Sequence, residues 1–462
     1  MNRLLSARIE AWVLLVVILV AALAVMAAIM ASRYVEIGGQ KLGPLTPVIR
    51  EISRVPVTLK QMLASPTADL QAVEQRFEGQ AGFAFADAPG SRPDLPYLMV
   101  TRYDGDLRRS VSELVDLNTH ETVNRWVYDV DPIWATLPEE ERTRWANLER
   151  DKHTARFRAA HTVLTEEGDV YIHGNLTPLM KFDLCGAPVW NTGRAIAHHA
   201  IETDHEGNVW TPSRFDPKSV NLGGADFLDD TLLKVSPNGE VLYEKSVAQI
   251  VIGDPRLRHL LQGNGYIDSD PLHLNDIEPV REGGTLWRQG DVLLSLRDRS
   301  LILLFRPETD EVVWYHAGRG AWLHQHDVDV IDATRIGVFD NNAALVGNRF
   351  VTDGVNRQIV MDVTDNSWES VHAESFEAHD VRTPKQGRSA LRSDGSLFVE
   401  ETQMGRLLYF DADGDLAISY VNRASDGTVY MLNWSGLVDR ATGDAVAARL
   451  ADGACPAGDA GE

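Results

Sequence analysis

The chain has 462 residues, with 44 Lys and Arg against 67 Asp and Glu, and a formal net charge of −23. So acidic a protein has no general positive field for nucleic acid or anionic lipid, which removes both from the expected partners. Two cysteines, Cys185 and Cys455, exclude a disulfide-dense scaffold, although the pair could join outside the cytoplasm.

Residues 11–31 form an unbroken apolar run. At about 1.5 Å per residue it is long enough to cross a hydrocarbon core of roughly 30 Å, and longer than a signal-peptide core. An uncleaved anchor is expected, with a cleaved signal as the alternative. Arg3 and Arg8 place residues 1–10 in the cytoplasm and the remainder outside it. Residues 32–95 read as a stalk or linker. Val48, Ile49, Ile52 and Val55 recur at helical spacing there, and Pro56 and Pro66 break the pattern into short helices.

From residue 96 to 450 the chain reads as an all-β six-bladed propeller, followed by a flexible tail over 451–462. Turn residues and apolar runs alternate as Gly168-Asp-Val-Tyr-Ile, Gly207-Asn-Val-Trp, Gly290-Asp-Val-Leu-Leu and Gly395-Ser-Leu-Phe-Val. Second turns lead to outer strands such as Asn238-Gly-Glu-Val-Leu-Tyr243 and Thr309-Asp-Glu-Val-Val-Trp314. Asn, Asp and Gly supply the positive φ of hairpin turns, and six such units of about 40–50 residues fit the length. Gly427-Thr-Val-Tyr-Met-Leu is a candidate closing strand. Residues 211–270 look like an insertion within one repeat. His161, His199, His273, His326 and His379 each open a repeat, so equivalent positions should converge on the propeller axis.

The densest set of reactive groups lies over 271–342. In order come His273-Leu-Asn275-Asp276, Leu293-Leu-Ser-Leu-Arg297, Val313-Trp314, Leu323-His324-Gln325-His326-Asp327 and Phe339-Asp340-Asn341-Asn342. This ordered set resembles the bacterial arylsulfate sulfotransferase family, with its H-x-N-D, L-x-S-x-R, Q-H and F-D-N elements. Upstream, His199-x-x-x-x-Asp204-x-x-Gly-Asn208-x-Trp210 is similar to the same family's repeat. The resemblance covers about 155–420 and implies an exported six-bladed propeller that moves a sulfuryl group between phenols without a nucleotide donor, cofactor or metal. It implies His326 as nucleophile, with His273, Arg297 and His199 as further catalytic groups and Asn275 on the sulfate. His161 and His379 join the substrate-binding set by register, and His324 is the alternative nucleophile. Asp327 is expected to face away from the ring, and Asp340, Asn341 and Asn342 to form a turn.

The chemistry is consistent with these roles. Sulfuryl transfer resembles phosphoryl transfer, in which positioning and cationic donors on equatorial oxygens do most of the catalysis. Arg297 can fork two hydrogen bonds onto two oxygens, a neutral imidazole can attack sulfur, and a protonated one can supply the leaving phenolate. Two rivals remain at this stage. One is a metal-dependent propeller hydrolase, which needs carboxylates converging with the histidines. The other is a non-catalytic, membrane-tethered binding propeller. The expected small-molecule partners are an aryl sulfate and a phenol, at an inner membrane with the propeller in the periplasm. The apolar run predicts a protein that stays with membranes through high-salt and alkaline washes. A soluble mature chain beginning near Ser32 would instead identify a cleaved signal.

Overall fold

The computed structural model describes residues 11–36, 49, 68–144, 153–193, 196–263, 267–346 and 349–455. The expected 1–10 terminus, nearly all of the stalk helices over 45–67 and residues 456–462 lie outside the described residues. Ala11–Glu36 is one helix. Its Trp12–Ser32 stretch is long and apolar enough for a membrane anchor or a signal sequence.

Six antiparallel sheets form a six-bladed β-propeller. Blade 2 spans 160–191, blade 3 202–246, blade 4 274–317, blade 5 327–371 and blade 6 388–421. Blade 1 combines Tyr97–Asp104, Arg109–Asp116 and Glu121–Val127 with a last strand from the far end of the chain, Gly436–Val438. The hairpins turn where the sequence provides positive φ: glycine in most blades, but Asp310 (φ 57°) in blade 4 and Asn366 (φ 59°) in blade 5.

Each blade is buried on both faces, and six apolar clusters fill the six interfaces between neighbours. Between blades 4 and 5 lie Leu293, Ile302, Leu304, Val328, Val338 and Ile359. On the other face of blade 4 lie Leu294, Leu303 and Phe305, packed on Trp210 and Leu232 of blade 3. Adjacent residues of one strand thus serve different interfaces, as strand alternation requires. Each such side chain contributes roughly 1.5–3 kcal/mol when taken from water.

Several boundaries differ from the sequence expectation. The closing strand is Gly436–Val438, not the run from Gly427. Residues 427–432 make only isolated bridges, Val429 to Arg423, Tyr430 to Gln71 and Leu432 to Arg102. Residues 71–95, expected in the linker, lie against the propeller, and Gly82–Phe85 adds a fifth strand to blade 6 by pairing with Leu416–Val421. Much of 211–270 is blade 3 itself. Its true insertions are the loop over 216–228 and the helices Val247–Gly253 and His259–Gln262, which pack into the blade 3–4 core. The tail is also tied down. Helix Arg440–Ala451 lays Val446 into the blade 1–2 core, and Cys455 forms a disulfide with Cys185 of blade 2.

Six residues of left-handed backbone, one per blade, lead into the innermost strands: His161, His199, His273, His324, Gln386 and Trp434. Deeper in the channel the first strands carry carboxylates, Glu202, Asp276, Glu278, Asp327 and Asp329. Arg388 of blade 6 is set among them, 3.5 Å from Glu202 and 3.8 Å from Asp327. Burial, then repulsion from Glu202, pushes the Glu278 carboxyl up to about 8, while unfolded it should titrate near the ordinary glutamate value. A folded pKa above the unfolded one gives stability that is present at low pH and lost as pH rises through about 8. The wild-type melting temperature should therefore fall between about pH 6.5 and about pH 8.5 by more than that of Glu278→Gln. Equal falls in both proteins would remove Glu278 as the cause.

Candidate active site

At the end of the channel marked by the left-handed residues, a cavity of about 320 Å³ is lined by His199, His273, Arg158, Arg214, Arg297, Lys385, Gln386 and Trp434, among others. Four cations and no carboxylate line it, in a chain of net charge −23. Arg297 follows directly on the second strand of blade 4, Val292–Leu296, in a one-turn helix. Its Nε donates to Asp298 at 2.7 Å, so the surface pairing expected of an ordinary Arg and a place in the cavity both hold. Arg297 and Lys385 flank the ring of Phe350, at 5.2 and 4.6 Å from its centroid. Phe350 belongs to strand Arg349–Thr352 of a hairpin inserted in blade 5.

His199, His273 and His326 converge. The ring centroids of His199 and His273 are 4.9 Å apart, and those of His199 and His326 6.4 Å. His326 is fully buried and, unlike His199 and His273, does not line the cavity. Its Nδ1 lies 2.6 Å from Asn341 Oδ1, and the Asn341 amide nitrogen donates to the carbonyls of Thr383 and Gln386 at 2.8 and 2.6 Å. Those two carbonyls fix the amide orientation, so Nδ1 carries the hydrogen and Nε2 keeps its lone pair. That lone pair accepts from the Gln386 backbone N–H at 3.0 Å. Burial, then the Arg297 charge, holds the His326 pKa well below the usual value, so the ring is neutral at pH 7.

The other expected residues separate. His161 is buried at the same level. Its Nδ1 accepts from the Ile201 N–H at 2.8 Å, and its Nε2 meets Arg388, facing the channel carboxylates more than the cavity. Asn275 is fully buried and donates to the Gln325 carbonyl at 2.8 Å, where it supports the segment carrying His326. His324 does not share a face with His326. Its left-handed backbone turns the ring outward, onto the Ala343 carbonyl and the edge of Phe350. His379 leaves the ring altogether. It caps the helix Ala373–Ala378 beside Phe410, and Gln386 takes the sixth-blade place because that helix and the turn after it come before the inner strand. His326 itself sits two residues beyond the place that His199 and His273 occupy in their blades. Asp327 accepts from Ser389 N–H toward the deeper channel, in a structural role.

Arg158, Arg214, Lys385 and Trp434 were missed because each comes from a loop or strand end whose spacing carries no motif. Asn341 was read as a turn residue, a role that its neighbours do play: Asp340 accepts from Leu323 and Asn342 N–H. Its FDN context was the available signal.

Asp270, His273 and Asp298 offer atoms within 4.8 Å of one another, which raises a metal site. Asp270 already holds His273 Nδ1 at 2.5 Å, and Asp298 already holds Arg297. A cation there would displace both contacts and face a guanidinium, so this donor set does not fit one.

Among solved structures, a protein of unknown function from Bacteroides caccae is 11% identical, with a TM-score of 0.43, over 74% of this chain and 99% of that one. The nidogen/laminin complex is 8% identical, with a TM-score of 0.41, over 74% and 98%. A streptogramin B lyase is 11% identical, with a TM-score of 0.35, over 77% and 98%. Likenesses this distant carry no argument about chemistry. No curated protein matches the sequence. The model of one family, arylsulfotransferase (ASST), matches residues 161–423. The match begins at His161 and runs through blade 6, so it takes in three of the four cations of the cavity, and the chain belongs to the arylsulfotransferase family.

Proposed function

We propose that the protein is a membrane-anchored sulfotransferase that moves a sulfuryl group from an aryl sulfate to a phenol through a covalent histidine. The observation that carries this reading is the cavity, lined by four cations and no carboxylate, with the neutral, tautomer-fixed His326 buried against His199 of its wall. An aryl sulfate would set its sulfate oxygens toward Arg297, Arg158 and Lys385, with the guanidinium fork on two of them.

His326 Nε2 attacks sulfur and the sulfur–oxygen bond to the aryl group breaks. The leaving phenoxide takes a proton from the His199–His273 pair. In the second half the acceptor phenol returns a proton to that pair, its oxygen attacks sulfur, and the nitrogen–sulfur bond breaks. Gln386 N–H must release Nε2 before the first step, so the turn over 383–387 shifts as substrate binds. The Cys185–Cys455 disulfide supports an oxidising compartment, and the apolar helix supports tethering there.

With an aryl sulfate and no acceptor, the protein should release a burst of one phenol per site. It should also gain about 80 Da, the mass of SO₃, on the peptide containing Leu323 to Asp327. His326→Asn should abolish burst and adduct together. Arg297→Lys keeps the charge but loses the fork, and should slow the burst by roughly 10²–10³. Turnover without any adduct in the unmodified protein would replace the covalent route by direct transfer.

A further inference from the structure

A continuous hydrogen-bonded chain of side chains runs along the cavity wall. Asp230 Oδ1 lies 3.4 Å from His198 Nε2, which also approaches the Ser213 carbonyl at 3.3 Å. His198 Nδ1 meets His199 Nδ1 at 2.8 Å, His199 Nε2 meets His273 Nε2 at 3.2 Å, and His273 Nδ1 meets Asp270 Oδ2 at 2.5 Å. Asp230 and His198 are almost wholly buried, so water cannot substitute for the contacts of His198 Nε2.

The hydrogens can be counted. Carboxylates and carbonyls only accept, so His198 Nε2 and His273 Nδ1 must each carry a hydrogen. Each of the two histidine–histidine contacts needs one hydrogen between its nitrogens. Four contacts thus require four hydrogens, whereas three neutral imidazoles bring three.

We infer that His198, His199 and His273 together hold four protons, one more than their neutral forms, so that the Asp230-to-Asp270 chain is a stored acid opening onto the cavity. Its use as the acid for the leaving phenoxide rests on the function proposed above; its charge state does not. His199 and His273 line the cavity and meet substrate there, whereas His198, Asp230 and Asp270 are positioning residues.

The two carboxylates that end the chain favour one extra proton, against the cations of the cavity. Arg214 donates to Asp230 at 2.9 Å and Leu274 N–H to its other oxygen at 2.9 Å, which holds that carboxylate ionised. Arg297, Arg158 and Lys385 face the chain across the cavity, with Asp298 behind Arg297. His326 faces His199, and His173 faces His198 from behind; burial keeps both neutral. Burial, then the His273 charge, pushes His199 well below its usual pKa, and burial, then Arg214, lowers His198. The extra proton is shared along the chain, whose cavity end is closed by Asp270 at 2.5 Å from His273 Nδ1. When it passes to the phenoxide the count falls to three, and one histidine–histidine contact loses its hydrogen. The acceptor phenol then restores the fourth, so the count alternates with the two half-reactions.

The test is nitrogen NMR of the full chain in detergent with ¹⁵N-labelled histidine, at about pH 8, where ordinary exposed histidines are neutral. One histidine with both nitrogens protonated is expected in the unmodified protein. His198→Phe removes two of the four contacts, leaving two histidines whose two contacts need only two hydrogens, so the imidazolium should disappear. Asp270→Asn should weaken it by removing the charge that holds it. An unmodified protein whose histidines are all neutral overturns the inference, whether or not either variant folds. So does an imidazolium that persists unchanged in folded His198→Phe. In turnover, both variants should lose at least about tenfold more rate on phenyl sulfate than on 4-nitrophenyl sulfate, whose leaving group needs no proton. A chain that shows the imidazolium but transfers no sulfuryl group would end the proposed function and leave the stored acid standing.

Discussion

Every blade buries both of its faces, and the rest of the molecule follows from that constraint. A sheet with two apolar faces needs two neighbours, and a row of such sheets leaves an apolar face bare at each end unless it closes. Here the seam between blades 6 and 1 is fastened from both chain ends. Gly436–Val438 completes the first blade, Gly82–Phe85 extends the sixth, and the helix Arg440–Ala451 is fixed to blade 2 through Cys185–Cys455. Closure brings six first strands around one axis. Only then do residues as distant as His199, His326 and Trp434 become neighbours.

The axis is divided electrostatically into two layers. One holds Arg158, Arg214, Arg297 and Lys385 around the cavity. The other holds Glu202, Asp276, Glu278, Asp327 and Asp329 around Arg388, where burial raises the carboxyl pKa values and repulsion adds to it at every one but Asp327. His326 lies near the boundary, and it is Arg297, not the carboxylates, that sets its charge state after burial. A nearby carboxylate would favour the imidazolium and cost His326 its free lone pair. An acidic protein can present a cationic cavity at one end of its axis because the acid is kept in the other layer and on the surface.

Much of the fold was legible because its signals are local. Turn residues at Gly168, Gly207, Gly290 and Gly395 mark strands that begin within two residues of them. The same local reading failed where pairing joins distant segments. Nothing in Gly82–Phe85 says that its partner is Leu416–Val421, and the run from Gly427 has strand composition but no free edge to join. His379 failed for a related reason: its His-Asp-Val pattern matches the repeat, but a helix and a turn separate it from the inner strand.

The sequence by itself determined the blade count, the apolar helix and the ordered motif set that carries Asn275, Arg297 and His326, because periodicity, turn chemistry and motif order are written along one chain. Only the tertiary structure decided which imidazole nitrogen is bare, which cations share the cavity and which carboxylates end the histidine chain. Those are relations between side chains tens to hundreds of residues apart. They depend on backbone twists such as the left-handed turn at His324, which points His324 and His326 to different places where strand alternation would have put them on one face.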